Sequence, residues 1–338
     1  MVLCAKVPKE TAEPTRKILL AKGFLDTLHE VGHDSKFVYF PVIGNPTGNF
    51  KLVEKKLKKR VMKPYSLREA LEGKLSLAEL DQLVSSFDII GSIAIVEIPD
   101  SLVKHEKDIA KAVMAVHGNV KTVAKKLSAM EGVFRVRKLK VIGGKKTLET
   151  EYHEHGCRML LDVSKVYFSP RLATERKRIA EQVKANEQVL VMFAGVGPFA
   201  LVIAKKQPSA KIVAIELNPA AVKYMKQNVE LNNAKNIVPI LADVRKIAIK
   251  YKGWADRIAM PLPHSAERFL DCAFLAATPS CIIHFYSIAN ENNPFAEAEM
   301  KIKEEAKKAG KQVSILNRHI VRPYAPHIVQ VVLDFQVS

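Results

Sequence analysis

A β-forming run, Gln188-Val-Leu-Val-Met-Phe193, leads straight into Ala194, Gly195, Val196 and Gly197, and Pro198 stands where a first helical turn begins. Small residues at such a turn let the main chain approach a ligand closely, which is the pattern of a nucleotide-binding loop. The next apolar run, Lys211 to Ile215, ends in Glu216. That is about twenty residues downstream, where a carboxylate accepts a ribose hydroxyl. A third run, Ile237 to Leu241, ends at Asp243. Gly-Val-Gly alone also describes an ordinary strand-to-helix turn. Acidic residues closing the next two strands favour the cofactor site.

The elements around this loop are regular from about Val166 onward. Helical periodicity covers Ala173 to Val183, Pro219 to Leu231, Ser265 to Ala277 and Pro294 to Ala309, and β-runs fall between them at Arg257 to Met260 and Cys281 to Ile288. Repeated β–α units imply a mostly parallel sheet. Two closing β-runs, Gln312 to Ile320 and Ile328 to Val337, have no helix between them and imply an antiparallel hairpin on its edge. The pattern favours an α/β, class I (Rossmann-like) methyltransferase sheet over a dinucleotide dehydrogenase, although Ala200 at the third glycine position is tolerated in either.

Upstream lie two smaller α+β regions. The first, residues 1–60, reads as a strand (Val2 to Val7), a helix (Thr11 to Lys22) and a strand (Phe37 to Val42). The second, residues 61–165, reads as a helix (Ser66 to Leu83), a strand (Phe87 to Ile98), a helix (Ser101 to Val116) and a basic helix (Val120 to Met130). Strands at Phe134 to Val141, Thr147 to His153 and Arg158 to Val163 complete it. Residues 166–338 are then the cofactor-binding domain. His153 and His155 flank Glu154, and alternation along a strand would point both rings to one face, but no third ligand is in view and no metal is expected.

The chain has 338 residues, is 48% hydrophobic and carries a net charge of +18. Such an excess favours a polyanionic partner. Its densest cluster is Lys51, Lys55, Lys56, Lys58, Lys59 and Arg60, and Lys125, Lys126, Arg135, Arg137, Lys138, Lys140, Lys145 and Lys146 extend an RNA-facing surface. There is no apolar run of about eighteen residues to span a membrane and no signal-peptide pattern. Cys4, Cys157, Cys272 and Cys281 form no Cys-x-x-Cys pair and suit buried thiols in a reducing cytoplasm.

At this point the chain resembles the archaeal and eukaryotic tRNA (guanine37-N1)-methyltransferases. The likeness is carried by Val7-Pro8-Lys9-Glu10, Phe134-Arg-Val-Arg-Lys-Leu139, Glu154-His-Gly156, Tyr167-Phe-Ser-Pro-Arg-Leu-Ala-Thr-Glu-Arg176, Met192-Phe-Ala-Gly-Val-Gly-Pro-Phe199, Glu216-Leu-Asn-Pro219, Ala255-Asp-Arg257 and Arg322-Pro-Tyr-Ala-Pro-His327. So many motifs in one order, over nearly the whole length, are specific.

The resemblance implies S-adenosylmethionine as methyl donor and tRNA as partner; a cytoplasmic monomer is expected. It places the first domain on the outer corner of the tRNA and the other two at the anticodon loop. By motif position, Glu175 resembles the general base and Arg135 the residue that stabilises charge on guanine O6. Phe193, Gly195, Gly197, Glu216, Asn218, Asp243 and Arg176 fall to the cofactor, and Arg171, Tyr167, Pro261 and Pro263 to the substrate.

That chemistry is coherent. N1 of guanine holds a proton that a carboxylate can remove, and a guanidinium stabilises the charge developing on O6. Residue by residue, other roles remain open: Glu175 can pair with Arg171 or Arg178, Arg135 can contact phosphate, and Asp243 can cap a helix. Tyr167 and Phe168 can be core aromatics.

Two departures stand out. Val191 replaces an aspartate common in the family, and Pro261-Leu262-Pro263 replaces Asn-Leu-Pro or Asn-Pro-Pro, so an amide is lost. They keep three other activities in view: methylation of a tricyclic wyosine precursor, alone or together with guanine 37; transfer of the aminocarboxypropyl group; and tRNA binding without catalysis.

Overall fold

Alternation of apolar β-runs with amphipathic helices builds the larger of two compact units, residues 70–338, while residues 1–69 form the other. The computed structural model describes residues 1–60 and 64–338. The expected boundary after residue 60 falls on residues outside that description.

In the first unit, β1 (Val2–Pro8), β2 (Gly32–His33), β3 (Phe37–Pro41) and β4 (Lys51–Lys55) form an antiparallel sheet in the order β2-β3-β1-β4. Helix Ala12–Ala21 contributes Leu19 to a core with Ala5, Val7, Phe40 and Val42. Lys55 at the end of β4 sits over the Tyr39 ring, 3.2 Å from its centre, so the start of the basic cluster is held by a cation–π contact.

The second unit opens with a four-stranded sheet, β5 (Asp88–Ile90), β6 (Ile93–Val96), β7 (Thr122–Lys126) and β8 (Leu139–Gly144). The hairpin β9 (Glu149–Glu154) and β10 (Cys157–Asp162) follows. A seven-stranded sheet then takes β11 (Gln188–Met192), β12 (Lys211–Glu216), β13 (Ile237–Leu241), β14 (Ala255–Met260), β15 (Ala277–Asn290), β16 (Val313–Ala325) and β17 (Ile328–Val337). Its order is β13-β12-β11-β14-β15-β17-β16. The first five are parallel, and β17 runs antiparallel to both β15 and β16, giving the expected edge hairpin.

From β11 the chain winds outward to β13 and then returns to β14 on the other side. This reversal opens a crevice beyond the carboxyl ends of β11 and β14, the place where open α/β sheets bind ligands. The β11 residues alternate between two cores: Val189 and Val191 face one, Leu190 and Met192 the other. Ile90, Ile93, Met159 and Leu161 join the first of these cores, so the middle segment and the β–α region share apolar packing. Each such side chain, fully buried, contributes about 1.5–3 kcal/mol. Val191 is wholly inside, and packing occupies the position of the family's aspartate.

Several expected elements differ. Val120 to Met130 contains a strand, β7, in place of the basic helix, because Thr122, Val123 and Ala124 are buried between β6 and β8. The β-run expected from Phe134 becomes a strand only at Leu139; residues 131–136 form a tight turn closed by Glu131 and Val136, with Gly132 and Arg135 at positive φ. The helix expected over Ser66 to Leu83 splits into Leu67–Leu71 and Leu77–Leu80 around Gly73, whose φ is +75°. Phe87 to Ile98 folds into the hairpin β5–β6 at Gly91, where a Cβ would meet the Glu151 carbonyl oxygen at 2.2 Å. Among the described residues, no helix is long and apolar enough to cross a membrane.

A chain of buried charges crosses the sheet between β14 and β17. Arg257 on β14 donates to Glu187 (2.7 Å) and to His284 Nε2 on β15 (2.8 Å). His284 Nδ1 then donates to Asp334 on β17 (2.6 Å), and Asp334 accepts from Arg178 (2.5 Å) of helix Ala173–Gln182. Burial and the two neighbouring guanidinium groups keep His284 neutral, below its ordinary pKa. Burial alone would raise Asp334, but His284 and Arg178 hold its carboxylate far below the ordinary value. Asp334→Ala should therefore cost about 3–5 kcal/mol, the usual penalty for removing one partner of a buried pair. Urea unfolding at neutral pH checks this. The depressed Asp334 pKa stabilises the fold fully above its unfolded value of 3.8 and less as pH falls below it, so the variant should narrow its gap to wild type in acid.

Candidate cofactor cavity and adjoining basic groove

The crevice at the ends of β11 and β14 holds a cavity of about 550 Å³. Phe193, the first residue beyond β11, has φ +57° and packs edge-on against Phe269, with ring centres 4.8 Å apart. Gly195, also at φ +57°, lines the cavity, and a Cβ there would meet only the Tyr167 carbonyl oxygen at 3.8 Å. Substitution would thus strain the main chain and project a side chain into ligand space. Gly197 (φ +91°) does different work: it caps helix Pro198–Lys206 under Met225, whose Cγ would lie 3.0 Å from an added Cβ. It shapes the loop without lining the cavity.

Glu216 closes β12 and organises the loop beside it. Its Oε2 accepts from the Gly195 N–H (2.8 Å), and its Oε1 accepts from those of Leu217 (2.9 Å) and Asn218 (2.8 Å). A carboxylate has about four acceptor positions, so one remains on Oε2 for a ribose hydroxyl. Asn218 lines the cavity, but its amide is spent: Oδ1 caps helix Pro219–Leu231 through Ala220 N–H, and Nδ2 donates to the Lys165 carbonyl. Asp243 caps the next helix through Arg245 N–H (2.9 Å) while its half-buried carboxylate lines the same wall. The apolar sides of Leu217, Ala221, Val244 and Leu262 complete a slot suited to a flat base. These acceptors and this shape fit an adenosyl group.

Arg176, expected at the cofactor, lies elsewhere. Its guanidinium is wholly buried, paired with Glu154 at 2.5 and 2.6 Å and donating to the Ser169 carbonyl, so it locks helix Ala173–Gln182 onto β9 and does not reach the cavity. Glu175 is turned away as well. Only 3% exposed, its carboxylate accepts from Arg178 (2.6 Å) and from the Tyr286 hydroxyl (2.8 Å), the alternative of pairing within its own helix. It nevertheless sits at the depth of the strand ends, because Tyr286 is one residue beyond the pair Met260–Phe285. Pro263 does not line the cavity, whereas Pro261 does. His153 pairs with Glu151 and His155 Nε2 donates to the Ala173 carbonyl, so the two histidines have separate local partners.

A second, basic cavity of about 610 Å³ shares Arg135 and Tyr167 with the first. The tight turn at residues 131–136 presents Arg135 at φ +50°, its guanidinium stacked 5.0 Å from the centre of the Tyr167 ring. Arg137, Arg171 and Arg322 supply further positive charge. Arg171 is tied to Asp88 (2.7 Å), and Arg322 stacks on Tyr324 at 5.5 Å. Tyr167 therefore faces both cavities, while its neighbour Phe168 is a core aromatic against Tyr152. The motif reading missed Phe269, Leu217, Leu262, His264 and Tyr324. The signal that finds three of them is position, since residues just past the carboxyl ends of parallel strands line such crevices.

Comparison with known proteins gives three domain matches: a TRM5/TYW2 methyltransferase domain over residues 150–316, a TYW2 N-terminal domain over residues 67–147 and a tRNA methyltransferase 5 N-terminal domain over residues 4–51. The chain is 41% identical, over all of both chains, to tRNA (guanine(37)-N(1))-methyltransferase Trm5b of Pyrococcus abyssi. It is similar to the structure of aTrm5 in complex with tRNALeu, at 34% identity and a TM-score of 0.81, covering 99% of this chain and 100% of that one. It is also similar to Methanocaldococcus jannaschii TYW2 in complex with AdoMet, at 28% identity and a TM-score of 0.60, covering 75% of this chain and 99% of that one. Gly195→Val should weaken S-adenosylmethionine binding by at least about tenfold, because a branched residue resists positive φ and fills the slot. Calorimetry measures the affinity and circular dichroism the fold; wild-type affinity in a folded variant would take this loop out of the site.

Proposed function

The chain belongs to the TRM5/TYW2 methyltransferase family, and we propose that it methylates N1 of guanine 37 in tRNA, the base 3′ of the anticodon. The observation that carries this reading is Arg135 stacked on Tyr167 at the wall common to the adenosyl-shaped cavity and the basic groove. A guanidinium there meets a base entering from the groove at the point where a methyl group is presented.

S-adenosylmethionine, bound by the Gly195 loop, Glu216 and Asp243, supplies a methyl group already activated on a positive sulfur. The protein's own task is position and proton transfer. Arg135 stabilises negative charge on O6 as N1 loses its proton. The target base leaves its stack to reach the groove, and Tyr167 offers a face for it. Glu175 is the carboxylate we assign to take the N1 proton. Its bonds to Arg178 and Tyr286 have to open first, and Asp334 remains to hold Arg178 when they do.

Arg137, Arg171 and Arg322 then contact the RNA backbone near the target, and the Lys51 to Arg60 cluster contacts a separate part of the tRNA. Four unpaired, buried cysteines suit a reducing compartment, and we assign the protein to the cytoplasm.

Incubating tRNA with the protein and S-adenosylmethionine, followed by nucleoside mass spectrometry, should yield 1-methylguanosine. A product methylated on a tricyclic carbon, with guanine untouched, would select the wyosine reading instead. Under single-turnover conditions at saturating tRNA, Glu175→Gln should slow methyl transfer by roughly 10²–10⁴-fold with little change in cofactor affinity. Arg135→Ala should slow the same step. Affinity for tRNA should fall steeply with salt, and replacing Arg137, Arg171 and Arg322 by Gln should lower the slope of log K against log salt by about two to three. Filter binding across a salt series measures that slope.

A further inference from the structure

We propose that His264 is a specificity residue that accepts a hydrogen bond from the exocyclic 2-amino group of the target guanine. This rests on the guanine reading above and adds to it how the groove tells guanine from a purine lacking that amine.

With Arg135 on O6, the rest of guanine's pairing edge, N1–H and the 2-amino group, consists of donors. The groove therefore needs an acceptor beside Arg135. Few of its side chains can serve. Arg137, Arg171, Arg322 and Lys126 only donate, Asp88 accepts from Arg171 at 2.7 Å, and the remaining side-chain acceptors besides His264 are the hydroxyls of Ser169, Tyr167 and Tyr324. Pro261, at the end of β14, has no polar side-chain atom. His264 stands three residues further along the same loop, lines the groove, and is exposed.

Its ring is fixed by Tyr324, which packs edge-on at 5.2 Å between centres and bonds His264 Nε2 through its hydroxyl at 2.9 Å. When Nε2–H donates to the Tyr324 oxygen, the neutral ring is left with a bare lone pair on Nδ1. Although the residue is exposed, partial shielding of its ring and the charge of Arg135 favour that neutral form by lowering the His264 pKa, against a weaker opposing pull from Glu267. Tyr324 is held in turn by the stacked Arg322. His264, Tyr324 and Arg322 thus make one wall, with Arg135 on Tyr167 making another.

The test compares two tRNA transcripts differing only at position 37, guanosine against inosine, which lacks the 2-amino group. Wild-type enzyme should methylate guanosine with a kcat/KM about tenfold above inosine, the effect of one unmade hydrogen bond. His264→Ala should lose about tenfold on guanosine and stay within about twofold of wild type on inosine, erasing the preference. His264→Gln, which restores an acceptor oxygen, should recover part of it.

Equal slowing on both transcripts would make His264 a structural residue and overturn the proposal, as would an unchanged preference in His264→Ala. The inosine rate also reports folding and cofactor binding in each variant. If wild-type protein methylates neither transcript at N1, the guanine reading itself fails, an outcome distinct from a lost preference.

Discussion

The buried chain of charges from Glu187 through Arg257, His284, Asp334 and Arg178 to Glu175 is the interaction on which the site depends. Any one of these carboxylates alone in the interior would be strongly disfavoured, and the arrangement survives because each carboxylate meets a guanidinium and the neutral His284 bridges Arg257 to Asp334. It joins β14, β15 and β17 to helix Ala173–Gln182. On that helix Glu175 and Arg178 lie three residues apart on one face, directed at the sheet. Arg176 leaves in another direction, into Glu154 of β9. One helix is thereby fixed to interior strands of the large sheet, β15 and β17, and to the small hairpin at once. The strand ends that form the cavity inherit that rigidity.

The main chain around the cavity carries the strain that the scaffold supports. Phe193 and Arg135 adopt positive φ without being glycine, a conformation costing of order 1–3 kcal/mol each. Phe193 is retained by Phe269, and its loop by the Glu216 carboxylate on Gly195 N–H. Arg135 is retained by the closure of its turn between Glu131 and Val136 and by Tyr167. Phe193 places its ring in the wall of the first cavity, and Arg135 places its guanidinium where the two cavities meet. Relaxing either to an extended conformation would redirect that side chain.

Much of this was legible in the sequence, for reasons that also mark where reading fails. Strands of a sheet covered on both faces are continuous apolar runs, and those at Val189, Ile212 and Ile258 are unmistakable between amphipathic helices. Glu216 and Asp243 follow from their place at strand ends. The lysines near Val120 misled because Lys125 and Lys126 look like the polar face of a helix. In the fold they end a strand and pair with Glu106 and Glu97. Arg176 and Glu175 defeat motif reading in a different way. Glu154, the partner of Arg176, and Tyr286, which holds Glu175 beside the local Arg178, are distant in sequence, so nothing local shows that these two side chains are buried away from a ligand. The turn that presents Arg135 hides within a stretch of β-forming residues, and its partner Tyr167 was recognisable only by motif.

The distribution of positive charge separates two kinds of work. Lys125 and Lys140 share Glu106, and Lys126 meets Glu97, so part of the basic stretch is spent on packing the small sheet. The groove instead gathers four arginines, two of them set against aromatic rings. A guanidinium is planar, stacks on a ring or a base, and grips phosphate in two places, where an ammonium acts only as a point charge. Such a surface can hold a turned-out base as well as the backbone that carries it. Arg171 illustrates the economy of the arrangement. Its bond to Asp88 is a half-exposed pair, of a kind contributing about 0–1 kcal/mol, so exchanging that carboxylate for an RNA phosphate costs the fold little. The charges that exchange partners to bind RNA are the weakly held ones at the rim; of the buried ones, Glu175 alone is released for the chemical step, while Asp334 keeps Arg178.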